Sequence, residues 1–266
     1  MSRVAEVLAR TRAQGRAALV GYLPVGFPDV AGSIDAMVAM VEAGVDIVEI
    51  GIPYSDPLMD GPVIAHAADV ALEHGVRIKD VFTAVRAVAD AGAPALVMTY
   101  WNPVLRYGVD RFALDLAKAG GAGLITPDLI PDEGAEWMAA AERNDLDHVF
   151  LVAPSSTPQR LRSTASACTG FVYAASSMGV TGARSTVGDA AAVLVTRTRL
   201  MTDLPICVGL GVSSGAQAAQ VAAFADGVIV GSALVRALAD AGTPGEGLTA
   251  IRKLSAELAA GVREGR

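Results

Sequence analysis

The sequence is poor in cysteine and lysine, and each shortage argues against a class of protein. Its 266 residues include two cysteines, Cys168 and Cys207, which are too few for a disulfide framework. Cys207 lies in an apolar run, so we expect a buried free thiol and, from it, a cytoplasmic location. The three lysines, Lys79, Lys118 and Lys253, fall in predicted helices. A Schiff-base aldolase, which needs a lysine at the active site, is therefore not expected.

Histidine and net positive charge are also scarce. The three histidines, His66, His74 and His148, form no pair with metal-ligand spacing, so we expect neither a zinc-dependent aldolase nor a bound metal. A net charge of −7 disfavours binding to nucleic acid. The uncharged segment 204–225 is interrupted by proline, serine and glutamine, so no membrane span is expected. Residues 1–16 are charged throughout, unlike a signal peptide.

Short apolar runs rich in β-formers recur eight times, with segments of helical spacing between them. They begin at residues 18, 47, 95, 123, 149, 170, 205 and 227. Strands buried on both faces have continuous apolar runs, and a helix after each strand gives a parallel sheet. We predict an α/β fold with a single domain over residues 1–266. It is a (β/α)8 TIM barrel with an extra N-terminal helix over residues 2–14 and long loops after strands 2 and 6. A doubly wound open sheet is the alternative.

Glycine-rich turns follow the last three predicted strands. They are 179–182, Gly209-Leu-Gly211 and Gly231-Ser232. Glycine lets backbone N–H groups approach an anion, and barrels of this kind bind phosphate at these loops. The alternative is that the glycines serve only as turns. Gly209-x-Gly211 is not a full dinucleotide fingerprint, so we expect a phosphorylated small molecule and not NAD.

Two acidic residues stand at or after the second predicted strand. Strand parity places Glu49 on the same face as Ile47, inside the barrel. Burial of a carboxylate is costly and raises its pKa, which suits a proton carrier near neutral pH; a structural ion pair is the alternative. Asp60 lies in the following loop and is either functional or a turn cap. These residues predict carboxylate-driven proton transfer, or carbon–carbon cleavage with an electron-rich leaving group.

The segment Glu49-Ile-Gly-Ile-Pro-Tyr-Ser-Asp-Pro-Leu-Met-Asp-Gly-Pro62 closely resembles the tryptophan synthase α chain. The resemblance extends over nearly the whole chain, through 21–29, 98–103, 127–131, 173–182 and the last two glycine turns. It implies cleavage of indole-3-glycerol phosphate to indole and glyceraldehyde 3-phosphate. The indole ring would be the electron-rich leaving group.

The resemblance also implies a role for each site residue. Glu49 would be the general acid–base, Asp60 would accept a hydrogen bond from the indole N–H, and Tyr173 would complete the catalytic set. A segment over 179–189 would be a mobile lid, in which Thr181 contacts Asp60. The expected substrate-binding residues, around the indole, at the lid and at the phosphate, are Tyr22, Met98, Thr181, Gly182, Gly211, Gly231 and Ser232.

By the same resemblance the chain works as an α2β2 heterotetramer with a tryptophan synthase β chain. Indole would pass through a tunnel to that partner, which holds pyridoxal phosphate, so no cofactor is expected in this chain. A free-standing lyase, a non-catalytic activator of a β chain and a phosphosugar isomerase are alternatives. The expected partner-contact residues are Pro53, Asp56, Asn102, Pro103, Asp128 and Pro131.

Overall fold

Nine parallel strands form one sheet in a computed structural model of the chain, which describes residues 2–175 and 189–265. The strand order is β5-β4-β3-β2-β1-β9-β8-β7-β6, so the first strand pairs with the last. The strands are β1 (Ala18–Pro24), β2 (Ile47–Gly51), β3 (Ala95–Met98), β4 (Gly123–Ile125), β5 (Asp147–Val149), β6 (Leu151–Val152), β7 (Val172–Ala175), β8 (Ile206–Gly209) and β9 (Gly227–Val230).

The sheet is a nearly closed barrel, because its two edge strands belong to one stretch of chain. The strands β5 and β6 are separated only by Phe150, so the predicted fifth strand, residues 149–152, is present as two short pieces. The predicted α/β barrel is therefore confirmed, and the alternative of an open doubly wound sheet is wrong. The predicted sixth strand begins two residues late, at Val172, after a turn in which Gly170 has a φ of +71°.

Helices follow the strands around the outside of the barrel. Several begin where a side chain caps the first turn: Asp29 accepts from the Gly32 N–H at 2.7 Å, and Thr157 and Ser214 act in the same way. No helix of the described ranges is long and apolar enough to cross a membrane. The helices are α1 (Arg3–Ala13), α2 (Val30–Glu42), α3 (Pro62–Glu73), α4 (Ile78–Asp90), α5 (Trp101–Tyr107), α6 (Val109–Lys118), α7 (Ala135–Arg143), α8 (Pro158–Ala167), α9 (Asp189–Arg199), α10 (Gly215–Ala222), α11 (Ser232–Ala239) and α12 (Pro244–Glu264).

Two hydrophobic clusters divide the core. The larger lies between the sheet and the outer helices and includes Phe112 and Trp137. The smaller fills the inside of the barrel, where alternate residues of the strands point inward. The extra N-terminal helix is confirmed as α1, whose Val4, Val7 and Leu8 pack into this inner cluster. They close the barrel at the amino-terminal ends of its strands.

Several other predictions concern single residues. Both cysteines are buried and free. The three lysines lie in α4, α6 and α12, as expected. The long connection after β2 holds a loop and two helices, α3 and α4. The long loop after β7 falls in residues 176–188, outside the described residues. The assignment of residues 1–266 to one domain stays a prediction.

Candidate functional site

A cleft opens at the carboxyl ends of the strands, opposite α1. It encloses about 1020 Å³ of space, its mouth included. Eight of the expected site residues line it together: Tyr22, Glu49, Asp60, Met98, Tyr173, Gly211, Gly231 and Ser232. The apolar walls include residues that the sequence analysis did not single out: Ile52, Met59, Ile64, Leu151, Leu210 and Ile229.

Glu49 lies at the inner end of this cleft. On β2 it pairs with Tyr22 of β1 on one side and with Leu96 of β3 on the other. Its side chain shares the inner face with Ile47, as parity predicts. Glu49 is fully buried, and neither carboxyl oxygen has a hydrogen-bond partner among the described residues. The ion-pair alternative therefore lacks a partner within that part of the chain.

Burial without a partner makes the ionised form of Glu49 costly. Desolvation raises the pKa of its carboxyl group from 4.5 to about 8. At neutral pH the folded chain therefore holds Glu49 mostly protonated. A carboxylic acid with a pKa near the working pH can give up a proton and take one back.

Asp60 lies half-buried at the rim of the cleft, in the loop between β2 and α3. Burial raises the pKa of its carboxyl group, and a side-chain hydrogen bond with Tyr100 opposes that rise. The Tyr100 hydroxyl also accepts a hydrogen bond from the Met59 N–H at 2.9 Å. Burial raises the pKa of Tyr100 to about 12, so its phenol stays protonated. Tyr100 was not among the residues expected at the site, and it lies two residues beyond the end of β3.

Two tyrosines flank Glu49, and each depends on a glycine of a neighbouring strand. A Cβ added at Gly51 would clash with the Tyr22 hydroxyl, and one added at Gly209 would clash with the Tyr173 hydroxyl. Burial raises the pKa of both phenols well above the ordinary range, and the negative charge of Glu49 adds to the rise. Both tyrosines therefore remain neutral, and their hydroxyl groups can act as hydrogen-bond donors.

The turns after β8 and β9 offer backbone amides to an anion. Ser232 is the first residue of α11, it is 6% exposed, and Gly231 precedes it as the N-cap. A helix N-terminus carries partial positive charge from its free N–H groups. Gly211 has a φ of +73°, which favours glycine and shapes the neighbouring turn. Together these turns fit a phosphate group. Thr181 and Gly182, which were also expected at the lid and the phosphate, lie outside the described residues.

The rim of the cleft carries the expected partner-contact residues. Asp56, Asn102 and Asp128 are exposed, Pro103 and Pro131 are half-buried, and Pro53 is buried within the chain itself. Three exposed apolar side chains in or next to the same segments were not among the expected contacts: Leu58, Leu105 and Ile130.

Hydrogen bonds connect the segments of this rim. Asp128, after β4, accepts from the Trp101 N–H at 2.9 Å and so caps the start of α5. The Asn102 side chain donates to the Tyr54 hydroxyl at 3.3 Å. The loops that follow β2, β3 and β4 are therefore joined to one another. Within residues 2–175 and 189–265 there is no group of three or more histidines, cysteines and acidic residues that could hold a metal ion.

Comparisons with known proteins agree with this geometry. A family profile described as "Tryptophan synthase alpha chain" matches residues 8–263. The chain is 63% identical to the tryptophan synthase alpha chain of Mycobacterium avium (strain 104) over 263 residues, which cover 99% of this chain and 95% of that protein.

Solved structures give the same result. One chain of the tryptophan synthase structure from Mycobacterium tuberculosis superposes with a TM-score of 0.93 at 62% identity, covering 98% of each chain. Tryptophan synthase subunit alpha from Legionella pneumophila str. Paris superposes with a TM-score of 0.89 at 30% identity, again over 98% of each chain. The chain belongs to the tryptophan synthase alpha chain family.

Proposed function

We propose that Glu49 and Asp60 carry out the chemistry of this chain. As a tryptophan synthase α subunit, the chain is a lyase that cleaves indole-3-glycerol phosphate to indole and glyceraldehyde 3-phosphate. The observation that carries the proposal is the fully buried Glu49, whose carboxyl oxygens have no partner among the described residues and which lines the cleft. A group so costly to bury is expected to have a role in function.

Glu49 acts as acid first and as base second. Its protonated carboxyl gives a proton to C3 of the indole ring, which leaves the ring nitrogen cationic. The resulting carboxylate takes the proton from the hydroxyl on the adjacent chain carbon. The carbon–carbon bond then breaks, its electron pair returns to the ring, and the hydroxyl carbon becomes the aldehyde. Glu49 ends the reaction protonated, as it began.

Asp60 stabilises the cation that forms in between. Its ionised carboxylate accepts a hydrogen bond from the indole N–H, and that bond strengthens as the ring nitrogen becomes positive. Burial raises the pKa of Asp60, so the hydrogen bond from Tyr100 helps to keep it ionised.

The remaining residues hold the substrate. Tyr173 completes the catalytic set beside Glu49, while Tyr22 and Met98 pack around the indole ring. The backbone at Gly211, Gly231 and Ser232 binds the phosphate, a role supported by the N-terminus of α11 at this point. Thr181 and Gly182 are proposed to complete the lid and the phosphate site.

The partner of this α subunit is a tryptophan synthase β chain, in an α2β2 assembly. The proposed contact surface is the rim, where exposed Asn102 and Asp128 accompany the apolar side chains Leu58 and Ile130. The pyridoxal phosphate of the assembly is assigned to the β chain, and none to this chain. A cytoplasmic location is also proposed, supported by the two free, buried cysteines.

The test measures indole release from indole-3-glycerol phosphate, with and without a β chain. Glu49→Gln and Asp60→Asn should each lose roughly 10²- to 10⁴-fold in kcat, the usual contribution of such groups. Glu73→Gln, on the exposed side of α3, is the matched control and should keep full activity. Strong activation by the β chain supports the α-subunit assignment, whereas equally fast release without it would indicate a free-standing lyase. Full activity of Glu49→Gln would refute its role.

A further inference from the structure

Tyr100 lies next to Asp60, and nothing in the sequence analysis assigned it a role. It is the N-cap residue of α5, it is 5% exposed, and it lines the cleft. Its hydroxyl accepts a hydrogen bond at 2.9 Å from the N–H of Met59, the residue directly before Asp60. A side chain after β3 is thereby attached to the loop after β2.

The Met59 contact limits where the phenolic hydrogen can point. A phenol has one O–H donor and can also accept, and here the Met59 N–H occupies an acceptor site. The O–H is left to donate elsewhere. Asp60 directly follows Met59 and lines the same cleft as Tyr100, and a side-chain hydrogen bond with Asp60 contributes to the raised pKa of Tyr100.

The ring of Tyr100 is supported from its other side. Tyr54 packs against it with ring centroids 5.3 Å apart, and the Asn102 side chain donates to the Tyr54 hydroxyl at 3.3 Å. Aromatic packing of this kind restricts the ring, so the direction of the phenolic O–H is set before substrate arrives.

We propose that Tyr100 is a positioning residue, which holds the Asp60 carboxylate in the place where the indole N–H must meet it. The inference rests on the role proposed above for Asp60. Without the hydroxyl, Asp60 loses a hydrogen-bond donor and the Met59 N–H loses its acceptor, so the loop that carries Asp60 is held less firmly. Tyr100 itself need not touch the substrate.

The direction of the pH effect follows from the groups around Asp60. Tyr22 of β1 and Tyr100 beyond β3 both interact electrostatically with Asp60, and Glu49 interacts in the same way with Tyr22. The two phenols are neutral over the working range. A hydrogen bond from Tyr100 stabilises the ionised form of Asp60, so its removal raises the pKa of Asp60.

The test compares Tyr100→Phe with Tyr54→Phe in the complex with a β chain. Tyr100→Phe should lower kcat about tenfold and move the acid limb of the pH–kcat profile upward by about one unit, the effect of losing one charge-assisted hydrogen bond. Tyr54→Phe removes only the hydroxyl from the adjacent ring. Its kcat should stay within about twofold of wild type, and its acid limb should not move. Equal profiles for the two variants would overturn the proposal, as would a lower kcat with an unmoved acid limb.

Two further measurements separate this inference from the proposed function. Adding Tyr100→Phe to Asp60→Asn should cause no further loss, because the two residues act as one unit. If Asp60→Asn keeps full activity, the proposed function fails, whatever Tyr100 does. If Tyr100→Phe does not fold, 3,5-difluorotyrosine at position 100 keeps the shape and provides a stronger donor. It should move the acid limb to lower pH, and an unmoved or raised limb would contradict the proposal.

Discussion

Replacement of Glu49 by glutamine should make the protein more stable although it removes most of the catalytic activity. The pKa of Glu49 is raised from 4.5 to about 8 by burial. Between these two pH values the unfolded chain releases the proton and the folded chain keeps it. The free energy of unfolding therefore falls as pH rises through this window. Glutamine has the same shape and cannot ionise, so Glu49→Gln should not show that fall.

The size of the effect follows from the shift. A rise from 4.5 to about 8 corresponds to about 5 kcal/mol once the pH exceeds the folded-state pKa, to about 3 kcal/mol at neutral pH, and to under about 1 kcal/mol near pH 5. The protonated carboxyl of wild type and the amide of Glu49→Gln both lack a hydrogen-bond partner among the described residues. The free-energy cost of the missing hydrogen bond therefore largely cancels between the two proteins.

Urea unfolding of the two proteins at several pH values measures this difference. The stability of Glu49→Gln minus that of wild type should grow steadily from pH 5 to pH 8.5. The exposed Glu73→Gln controls for loss of one negative charge and should give a difference that stays nearly constant. If the curves of wild type and Glu49→Gln run parallel, Glu49 is not buried at such a cost and the argument for its catalytic role loses its basis.

Four other predictions follow from the site and the core. The value of kcat/KM should fall as the pH rises through about 8, because the free chain then loses the Glu49 proton. A kcat/KM that stays constant above that pH would argue against Glu49 as the acid. Gly51→Ala should cost on the order of a hundredfold in kcat by displacing the Tyr22 phenol, whereas Gly245→Ala, where a Cβ meets nothing, should not. Ser232→Ala should raise KM about tenfold with kcat nearly unchanged. Trp137→Ala should lower the free energy of unfolding by about 3–5 kcal/mol, and a smaller loss in urea unfolding would show that the core collapses around it.

Strand positions could be predicted from the sequence because burial on both faces gives a continuous apolar run. The inward direction of Glu49 was also predictable, since side chains alternate strictly within a strand. This alternation of side chains holds only within a strand, however. Tyr100 lies two residues beyond β3, and Trp101 begins a helix where the sequence indicated only the end of a strand. The role proposed for Tyr100 depends on a hydrogen bond that its hydroxyl accepts from the Met59 N–H. Met59 is 41 positions away in the sequence, so no local pattern encodes this contact.

Pro53 illustrates a second limit. The resemblance implied that Pro53 contacts the partner, whereas the structure buries Pro53 within the chain itself. The chain stays extended past β2, and the Ile52 N–H still donates to the Met98 carbonyl at 3.0 Å, so this part of the loop packs against the barrel before it turns outward. Strand bonding that continues past an assigned strand end cannot be read from residue types.

Within the described residues, the side chains of α1 close the barrel at the end opposite the mouth of the cleft. Below Glu49, the inner cluster and the side chains of α1 fill the barrel, so the described part of the chain offers no rear exit. Substrate therefore enters, and both products leave, at the carboxyl ends of the strands, where the rim proposed to contact the β chain lies. Glu49 is reached from that same end. In the proposed reaction, the proton that Glu49 gives to the ring carbon is replaced by the one that it takes from the substrate's hydroxyl group.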